Sequence, residues 1–340
     1  MEKITIKDVA KKAGVSIATV SRVFNNYTDI SEQTRKRVFQ IANEVGYSPN
    51  VAARALSSKS QRTIALVFND LTYHPKYTMP MSILNGVFDY ADSQGIEFAF
   101  YVITTQKQKQ KTYEQFCSEH NVNGVIVQGL RENDPYFEQL KVTHIPTVLI
   151  DMFVNNPHVS SVTTDNLSAA KDAVNTLIKS GCRNIDMMNG AYNASVSILR
   201  EQGYKKALTD AGLPLDASHI QYANYDEQIA NLMAKQALKQ DPTIDAFFCA
   251  SDIMALGVLQ ACKDLGKKVP QDLKIIGFDG LDLVSYVTPA LSTVAQQPYE
   301  FGQEAGRLIQ ELMSSPLPKT PIVRHVPYKL YMRESTKNLN

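Results

Sequence analysis

Residues 6–25 read IKDVAKKAGVSIATVSRVFN, and this stretch decides the fold of the first part of the chain. Thr5, followed three residues later by Asp8, has the pattern of a capping box and predicts a helix of about two turns that ends at Gly14. Ser16 is placed to cap a second helix, in which apolar residues recur at helical spacing. Two short helices joined by a tight turn containing glycine predict a helix-turn-helix, whose second helix can enter a DNA major groove.

A third helix and a short further segment follow this pair. Ser31 is placed to cap the third helix, which we expect to end at Gly46. Residues 47–58 then read YSPNVAARALSS, where Ser48 can cap a helix of about two turns and Pro49 can occupy its first position. Because a helix of that length is marginal in water, we expect this segment to fold only when another molecule orders it.

Charge is unevenly distributed along the 340 residues, although the whole chain carries only +1. Residues 1–62 contain eleven Lys and Arg against five Asp and Glu, a net charge of +6, so the remaining 278 residues carry −5. A basic head on a mildly acidic body is typical of a nucleic-acid-binding module joined to a body with a different task. The alternative for the head is a small helical bundle with a solvated basic face.

Other classes of function find no support in the sequence. The four cysteines never approach CxxC spacing, the six histidines are scattered, and no GxGxxG, GxSxG, HExxH or P-loop pattern occurs. We therefore expect no enzyme activity, no cofactor and no metal. The N-terminus lacks the apolar stretch of a secretory signal, and no segment approaches about 18 uninterrupted apolar residues, so we expect a cytoplasmic protein without a membrane partner.

From Thr63 onward, apolar strands alternate with amphipathic helices, which predicts a parallel α/β body. Two successive sets of strands indicate two lobes, with a ligand cleft between them at the carboxyl ends of the strands. In the first lobe the expected strands are 63–69, 96–102, 123–129 and 146–151, and the expected helices are 80–94 and 109–119. In the second lobe the expected strands are 184–190, 244–250 and 273–279, and the expected helices are 166–180, 197–211, 226–239 and 252–265.

Polar side chains gather near the ends of these strands, where a cleft ligand would be held. Capping or solvation explains any one of them, but their recurrence in both lobes favours a binding site. The candidate ligand-binding residues are Asn69, Tyr73, Asp151, Asp165, Arg200, Tyr225, Asp252 and Asp279. A forked arginine with several carboxylates suits a polyol, because hydroxyls both donate and accept hydrogen bonds. Tyr73, Tyr225 and Phe278 are candidate platforms for stacking a sugar ring, and the alternative, which is more frequent for aromatic residues in such strands, is packing in the core.

The stretches 6–25 and 47–58 together resemble the head of the LacI/GalR family of bacterial transcription regulators, and the resemblance continues through the whole chain. It implies an N-terminal all-α helix-turn-helix head and a two-lobed α/β body like that of a periplasmic binding protein. The implied domains are a head at 1–47, a hinge helix and linker at 48–62, a first lobe at 63–163 with 292–322, and a second lobe at 164–291 with 323–340.

The resemblance also implies how the head contacts DNA. The second helix reads the major groove with Arg22, Ile17 and Ala18, while Leu56 of the hinge helix is a wedge in the minor groove at the centre of the operator. The pair Ile17 and Ala18 is similar to pairs in members that bind pseudo-palindromes with a central CG step. For Tyr47 and Asn50, packing or capping is an equal alternative. The implied DNA-binding residues are Thr5, Ser16, Ile17, Ala18, Thr19, Ser21, Arg22, Asn25, Tyr47, Asn50, Arg54 and Leu56.

For the body, the resemblance implies Arg200 as the ligand clamp and Asp279 as a hydroxyl acceptor. Members that bind purines carry a further arginine shortly before this position, and residues 191–199 contain none, which favours a sugar or sugar phosphate over a purine. No phosphate-cradling Gly-rich loop or extra basic cluster occurs near the predicted cleft, which favours a neutral sugar. We therefore expect a homodimeric repressor of a sugar-utilisation operon, bound to double-stranded DNA and gated by a sugar. The alternative is a carbon-catabolite or purine-type regulator controlled by a protein partner or a purine corepressor.

Overall fold

The chain forms two compact units, Met1–Arg62 and Thr63–Asn340. A computed structural model describes residues 4–24, 27, 29–47, 62–71, 78–314 and 316–337. The boundary between the two units falls where the apolar strand pattern begins, because Thr63 is the first residue of a strand whose other residues are all buried. The four cysteines are free and buried.

The first unit, which we call the head, is helical. Among its described residues the helices are α1 (Ile6–Ala13), α2 (Ile17–Phe24) and α3 (Glu32–Val45). The Asp8 carboxylate accepts hydrogen bonds from the backbone N–H and the hydroxyl of Thr5 at 2.8 and 2.7 Å, as the capping box predicts. Gly14 and Gly46 end α1 and α3 in the left-handed conformation, at φ 65° and 67°. The residues that form the core are Val9, Ala10, Ala13, Val20, Val23, Val38 and Ala42.

The second unit contains two lobes, and the first of them is built on a parallel sheet. Its strands among the described residues are β1 (Thr63–Asn69), β2 (Glu97–Ile103), β3 (Gly124–Gln128), β4 (Thr147–Ile150), β5 (Val159–Thr163) and β11 (Val323–His325). They lie in the order β11-β5-β4-β3-β1-β2, so β2 is an edge strand. The helices are α4 (Met79–Gln94), α5 (Thr105–Gln108), α6 (Tyr113–Glu119), α7 (Pro135–Leu140) and α12 (Pro298–Ser314).

The second lobe repeats this architecture. Its strands among the described residues are β6 (Ile185–Asn189), β7 (Ile220–Tyr222), β8 (Ala246–Cys249), β9 (Lys274–Asp279), β10 (Ser292–Ala295) and β12 (Lys329–Tyr331). They lie in the order β12-β10-β9-β8-β6-β7, and β12 runs antiparallel to β10. The helices are α8 (Asn166–Lys179), α9 (Ser195–Asp210), α10 (Glu227–Gln240) and α11 (Asp252–Asp264).

Helices cover both faces of each sheet, and the central strands are accordingly buried, except for the half-buried Gln128 at the end of β3. In the first lobe, α4 and α12 cross closely enough that glycine is required. A Cβ atom at Gly302 would lie 2.3 Å from the backbone oxygen of Ile83, and one at Gly86 would lie 2.1 Å from that of Tyr299. Each lobe therefore has its own core, and the carboxyl ends of its parallel strands lie along one edge of its sheet.

Two of the lobe bounds expected from the sequence are corrected. Ser292–Ala295, expected in the first lobe, pairs with β9 in the second sheet, and Val323–His325, expected in the second lobe, pairs with β5 in the first sheet. Strands of three or four residues carry little pattern of their own, so the lobe to which they belong is decided by distant partners. The chain thus passes between the lobes at 164–165, 296–297 and 326–328, which we call the connecting segments.

Candidate ligand cleft and nucleic-acid surface

A cavity of about 770 Å³ lies between the two lobes at the carboxyl ends of their strands. Its size is within the range of small-molecule sites. Polar residues from the first lobe, the second lobe and a connecting segment line it, among them Asn69, Asp70, Gln128, Arg131, Asp151, Ser195, Arg200, Tyr225, Asp279 and Gln296. The structure therefore brings five of the eight candidate ligand-binding residues to one cavity.

The backbone is strained where it reaches this cavity. Asp70, Asp151, Asn224 and Tyr225 have left-handed φ angles of 48°, 61°, 51° and 62°, and Asp279 has a φ of 115°. Each of these conformations costs a non-glycine residue about 1–3 kcal/mol. The strain recurs at or just beyond the carboxyl ends of β1, β4, β7 and β9, and such clusters are typical of functional sites, where the surrounding structure holds the backbone in place.

Arg200, in the first half of α9, is the most firmly held cation in the cavity wall. It is 3% exposed, its Nε donates to the Asn166 side-chain oxygen at 2.8 Å, and its Nη1 donates to the Ala250 carbonyl at 2.6 Å. Its guanidinium carbon lies 3.7 Å from the centre of the Phe278 ring. Among the described residues Nη2 has no hydrogen-bond partner. The guanidinium is thus fixed in orientation with a donor left for a ligand, and Phe278 stacks on arginine rather than on a sugar.

Two carboxyl groups accompany this arginine, one buried at Asp279 and one half-buried at Asp151. An Asp279 oxygen lies 4.0 Å from Arg200 Nη1 and accepts a hydrogen bond from Gln296 at 2.9 Å. Burial raises the pKa of Asp279 to about 6, against the opposing effects of Arg200 and of that hydrogen bond. Burial also raises the pKa of Asp151, whose Oδ1 accepts a hydrogen bond from Thr163 at 2.7 Å. Both groups are acceptors whose charged form a ligand hydroxyl would stabilise.

Asn69 lines the cavity but is already hydrogen-bonded at both ends of its amide. Its oxygen accepts from Gln108 at 2.7 Å, and its nitrogen donates to Asp134 at 2.9 Å. Thr105 joins the same group, because its hydroxyl lies 2.5 Å from an Asp134 oxygen and 2.9 Å from an Asp70 oxygen. We call these five side chains the Asn69 network. Since the amide of Asn69 is satisfied within the protein, its role is to hold the first wall of the cleft in place.

Tyr225 is also fixed within the protein, although it lines the cavity. Its hydroxyl lies 2.7 Å from the Ser197 hydroxyl, and a Cβ atom at Gly190 would fall 2.1 Å from its ring. Glycine at position 190 is what gives this ring its place. The ring is therefore a rigid wall of the cleft.

Two candidate ligand-binding residues, Asp165 and Asp252, are not among the residues that line the cavity. Asp252 is fully buried, and its carboxylate accepts from the backbone N–H groups of Gly280 and Leu281, both at 2.8 Å, and from the Thr293 hydroxyl. It holds the loop after β9 in place, and burial raises its pKa well above the usual range. Asp165 caps α8 by accepting from the Ser168 backbone N–H at 3.0 Å. Tyr73 lies outside the described residues.

Sequence reasoning missed several residues that line the cavity, among them Gln128 and Gln296. Gln128 ends β3, and its side-chain oxygen is buried with no hydrogen-bond partner among the described residues. Gln296, 6% exposed, donates to Asp279 and accepts from the Thr164 hydroxyl at 3.1 Å. Gln128 lies at the end of an apolar strand, as Asn69 and several of the acidic candidates do, and that position is the signal in the sequence that points to it.

The outer surface of α2 in the head has the exposure that base reading requires. Ile17 is 45% exposed, and Ala18 and Arg22 are exposed, while Val20 and Val23 are fully buried. Small, apolar and guanidinium groups therefore lie together on one surface, as a major-groove helix needs. Thr19 and Ser21, also expected at the DNA, are half-buried.

Arg22 itself is engaged within the head. It forms an ion pair with Asp29, and its guanidinium carbon lies 5.2 Å from the centre of the Tyr27 ring. About half of each ion-pair partner is exposed, so the pair is weak and DNA can replace it. Arg22 is thus positioned beforehand and remains available to a guanine edge.

The other residues expected at the DNA either cap a helix, pack within the head, or lie outside the described residues. Thr5 caps α1, and Ser16 caps α2 by accepting from the Thr19 backbone N–H at 3.0 Å. Tyr47 packs its ring against Phe24, with centroids 5.8 Å apart, in agreement with the packing alternative. Asn25, Asn50, Arg54 and Leu56 lie outside the described residues, as does the expected hinge helix.

Neither a metal site nor a membrane span is found in the part of the chain that the structure describes. No three His, Cys, Asp or Glu side chains there are grouped so that they could hold a metal ion. No helix in those residues is both long and apolar enough to cross a membrane.

Comparison with known proteins gives concordant results for both units. Residues 5–50 match the family described as bacterial regulatory proteins, lacI family, and residues 174–336 match a periplasmic binding protein-like domain. Catabolite control protein A of Priestia megaterium is 33% identical over 339 residues, covering 98% of this chain and 99% of that protein. The HTH-type transcriptional repressor CytR of Escherichia coli strain K12 is 35% identical over 310 residues, covering 91% and 89%. A solved structure of a transcriptional regulator CelR–cellobiose complex has a TM-score of 0.73 at 27% identity, covering 98% of this chain and 100% of that one.

A helix-turn-helix head followed by a two-lobed body with a ligand-sized cleft defines the class of DNA-binding regulators that carry a periplasmic-binding-protein-like domain. Within that class, the chain belongs to the lacI family of bacterial regulatory proteins. Proteins of this family regulate transcription by binding DNA and are not enzymes.

Proposed function

We propose that the protein is a repressor that binds a pseudo-palindromic operator as a homodimer and changes its operator affinity when a neutral sugar occupies the cleft. The observation that carries the proposal is Arg200. It is held rigidly by Asn166 and Ala250, has at Nη2 a donor without a partner among the described residues, and lies beside the buried carboxyl group of Asp279.

The chemistry of the cavity supports a neutral polyol as the ligand. Adjacent hydroxyls donate to carboxylates and accept from a guanidinium, which matches Asp151, Asp279 and Arg200. Of the described residues, those that line the cavity and carry charge are three Asp, at positions 70, 151 and 279, and two Arg, at positions 131 and 200. An anionic ligand would face this excess of carboxylates. The CelR structure contains cellobiose, which supports a sugar of similar size.

The second candidate function is a carbon-catabolite regulator controlled by a protein partner. It is favoured by the similarity to catabolite control protein A over almost the whole chain. The cleft argues against this candidate. It is an open polar cavity, whereas a cleft that binds no ligand would be filled by apolar side chains. A purine corepressor is disfavoured because residues 191–199 contain no arginine that could contact the base.

On the DNA side, α2 is the element that we assign to the major groove. Ile17 and Ala18 contact base edges through apolar groups, and Arg22 exchanges Asp29 for the two acceptors of a guanine. The expected operator has a central CG step, and its two half-sites require two copies of the head, which makes a homodimer the assembly that matches it. A protein of this kind acts on chromosomal DNA, and hence in the cytoplasm.

The connecting segments offer a route from the cleft to the rest of the molecule. Gln296 lies in one of these segments. Its side chain donates to Asp279 and accepts from Thr164, which lies in another segment. The neighbouring Gln297 donates to the Pro327 carbonyl in the third at 2.7 Å. A ligand that changes the contacts of Asp279 therefore also changes the contacts of the segments that join the lobes. Coupling requires a contact of this kind, which differs between the ligand-free and the ligand-bound state.

The test is fluorescence anisotropy with a labelled pseudo-palindromic operator that has a central CG step. The full-length protein is titrated with and without monosaccharides, disaccharides, phosphorylated sugars and purine bases. We expect one neutral sugar to change operator affinity by about 5- to 150-fold, the range of ordinary allosteric coupling. Tight operator binding that is indifferent to every sugar would contradict the sugar and favour the protein-controlled alternative. A response to a purine base alone would replace the sugar by a purine.

A further inference from the structure

A second cavity of about 380 Å³ lies in the first lobe beside the edge strand β2 and shares no lining residue with the cleft. Its wall is aromatic. The Tyr101 ring lies 5.3 Å from the Phe116 ring in an edge-to-face arrangement and 4.3 Å from the ring of His120, centre to centre. Such a cluster presents an apolar surface on which a planar ring can pack.

Two polar groups at the same cavity have no partner among the described residues. Tyr136 is 3% exposed, and its hydroxyl has no hydrogen-bond partner among the described residues. Burial raises the pKa of this hydroxyl to about 12, so it remains a donor at neutral pH. The ammonium group of Lys107 forms no ion pair with the described residues, whereas that of Lys111 is paired with Glu119. Both groups are hydrogen-bond donors that remain available to an acceptor on a ligand in this cavity.

We infer that this second cavity binds a small aromatic acid, a planar ring that carries a phosphate or carboxylate group. The ring packs against Tyr101, Phe116 and His120. The anion accepts hydrogen bonds from the Tyr136 hydroxyl and the Lys107 ammonium, and a charge-assisted bond of this kind is stronger than a neutral one. The site differs in chemistry from the cleft, where carboxylates exceed arginines.

The four-residue helix α5 connects this second cavity to the cleft. Lys107 lines the second cavity, while its neighbours Thr105 and Gln108 belong to the Asn69 network of the cleft wall. Gln108 also accepts a hydrogen bond from the Tyr136 backbone N–H at 3.0 Å. A ligand held by Lys107 and Tyr136 therefore contacts the same short element that fixes Asn69, and the second cavity is placed to act as a second effector site.

The experiment is isothermal titration calorimetry of the full-length protein with phenyl phosphate, and separately with phenol and with inorganic phosphate. We expect one phenyl phosphate per chain, bound at least about tenfold more tightly than either fragment, because ring and anion contribute together. Benzoate in place of phenyl phosphate distinguishes a carboxylate ligand from a phosphate ligand. Inorganic phosphate binding as tightly as phenyl phosphate would overturn the inference, since the aromatic wall would then contribute nothing.

Two variants locate the ligand, and a third serves as their control. Lys107→Ala is expected to weaken phenyl phosphate binding about tenfold through loss of a charge-assisted hydrogen bond, and Tyr136→Phe several-fold with the ring retained. Lys109→Ala removes an exposed lysine of the same segment that does not line the cavity, and it is expected to change nothing. Equal losses in the two lysine variants, or unchanged binding in both Lys107→Ala and Tyr136→Phe, would show that the ligand does not occupy this cavity.

Discussion

Arg200 in the second lobe and Asn69 in the first face the same cleft, yet they are held in opposite ways. Arg200 uses Nε and Nη1 within the protein and has no partner for Nη2 among the described residues, whereas Asn69 is hydrogen-bonded at both ends of its amide. The second lobe thus offers an unused donor to the ligand, while the Asn69 network gives the first lobe a fixed surface. The comparison teaches that lining a cleft and contacting its ligand are separate properties, and that hydrogen-bond accounting distinguishes them.

Arg200→Ala has the largest expected effect, because it removes the donor that the second lobe contributes. We expect effector affinity to fall at least about 100-fold, since a buried, charge-assisted contact is lost and Asp279 is left without its neighbouring cation. The ligand-free variant is expected to retain operator binding. Calorimetry with the effector and operator anisotropy without it measure the two quantities.

One further variant separates the planar guanidinium of Arg200 from its positive charge, and another serves as the control. Arg200→Lys keeps the charge but loses the planar fork, so it is expected to recover only part of the affinity. Lys205→Ala, an exposed position on the same helix, is the matched control and is expected to behave as the original protein. If Arg200→Ala also abolishes operator binding, the arginine is structural and the contrast between the two walls fails.

Asp134→Ala tests the first wall. The Asp134 carboxylate is 2% exposed and accepts from Asn69, from the Arg131 backbone N–H at 2.8 Å and from the Thr105 hydroxyl at 2.5 Å. Removing it leaves buried donors unsatisfied and is expected to lower the free energy of unfolding by about 2–3 kcal/mol. Urea denaturation measures this loss.

The control for Asp134 is Glu132→Ala, an exposed acid in the same loop, which is expected to be neutral within about 0.5 kcal/mol. We expect effector affinity of Asp134→Ala to fall less than that of Arg200→Ala, because the network acts on the ligand only through position. A larger loss of affinity than in Arg200→Ala would reverse the roles of the two walls.

Local signals explain what the sequence could reveal. The caps at Thr5, Gly14 and Gly46, and apolar strands such as 63–69, have patterns confined to a few residues, and the structure has them within a few positions of expectation. The clustering of polar residues at strand ends likewise follows from parallel topology alone. Residues whose role depends only on local sequence or on sheet topology were therefore within reach of sequence analysis.

Distant partners explain what the sequence could not reveal. Ser292–Ala295 and Val323–His325 are too short to carry a pattern, and their strand partners lie far away along the chain. Asp252 resembled a ligand contact until its three partners at 280, 281 and 293 were known. A carboxylate at the end of a strand can serve a ligand or a loop, and only three-dimensional pairing decides between the two roles.

The pH dependence of effector binding depends on the protonation state of Asp279. The pKa of Asp279 is raised to about 6 in the folded protein, so its contribution to stability is present at low pH and is lost as the pH rises from about 4 through 6. Hydroxyl donors of a bound sugar favour the charged form and lower that pKa. Effector affinity is therefore expected to rise between pH 5 and pH 7, by about tenfold for each unit by which binding lowers the pKa.

Titrations of effector affinity against pH, with two variants, check the assignment to Asp279. Asp279→Asn is expected to reduce the slope, and the remainder is attributed to Asp151, whose pKa is also raised. Asp186 is the control, since burial raises its pKa to about 6 as well but it lies beside His219, outside the cleft. Asp186→Asn is expected to change the pH dependence of stability without changing that of affinity. An unaltered slope in Asp279→Asn would remove the carboxyl group from the binding site.

Gln296→Leu has the smallest expected effect, because it alters the connection between the walls and leaves the walls themselves in place. The side chain donates to Asp279 and accepts from Thr164, so leucine, of similar size, removes both bonds at a buried position. Arg200 is untouched, and effector affinity is expected to change less than about threefold, whereas the effect of the effector on operator affinity is expected to fall about fivefold, or about 1 kcal/mol of coupling. Operator anisotropy with and without saturating effector measures this difference. The control is Gln297→Ala, which removes a hydrogen bond in the same connecting segment and shows whether that loss alone has the same result. Loss of affinity with unchanged coupling would place Gln296 among the ligand contacts, on the side of Arg200 rather than between the lobes.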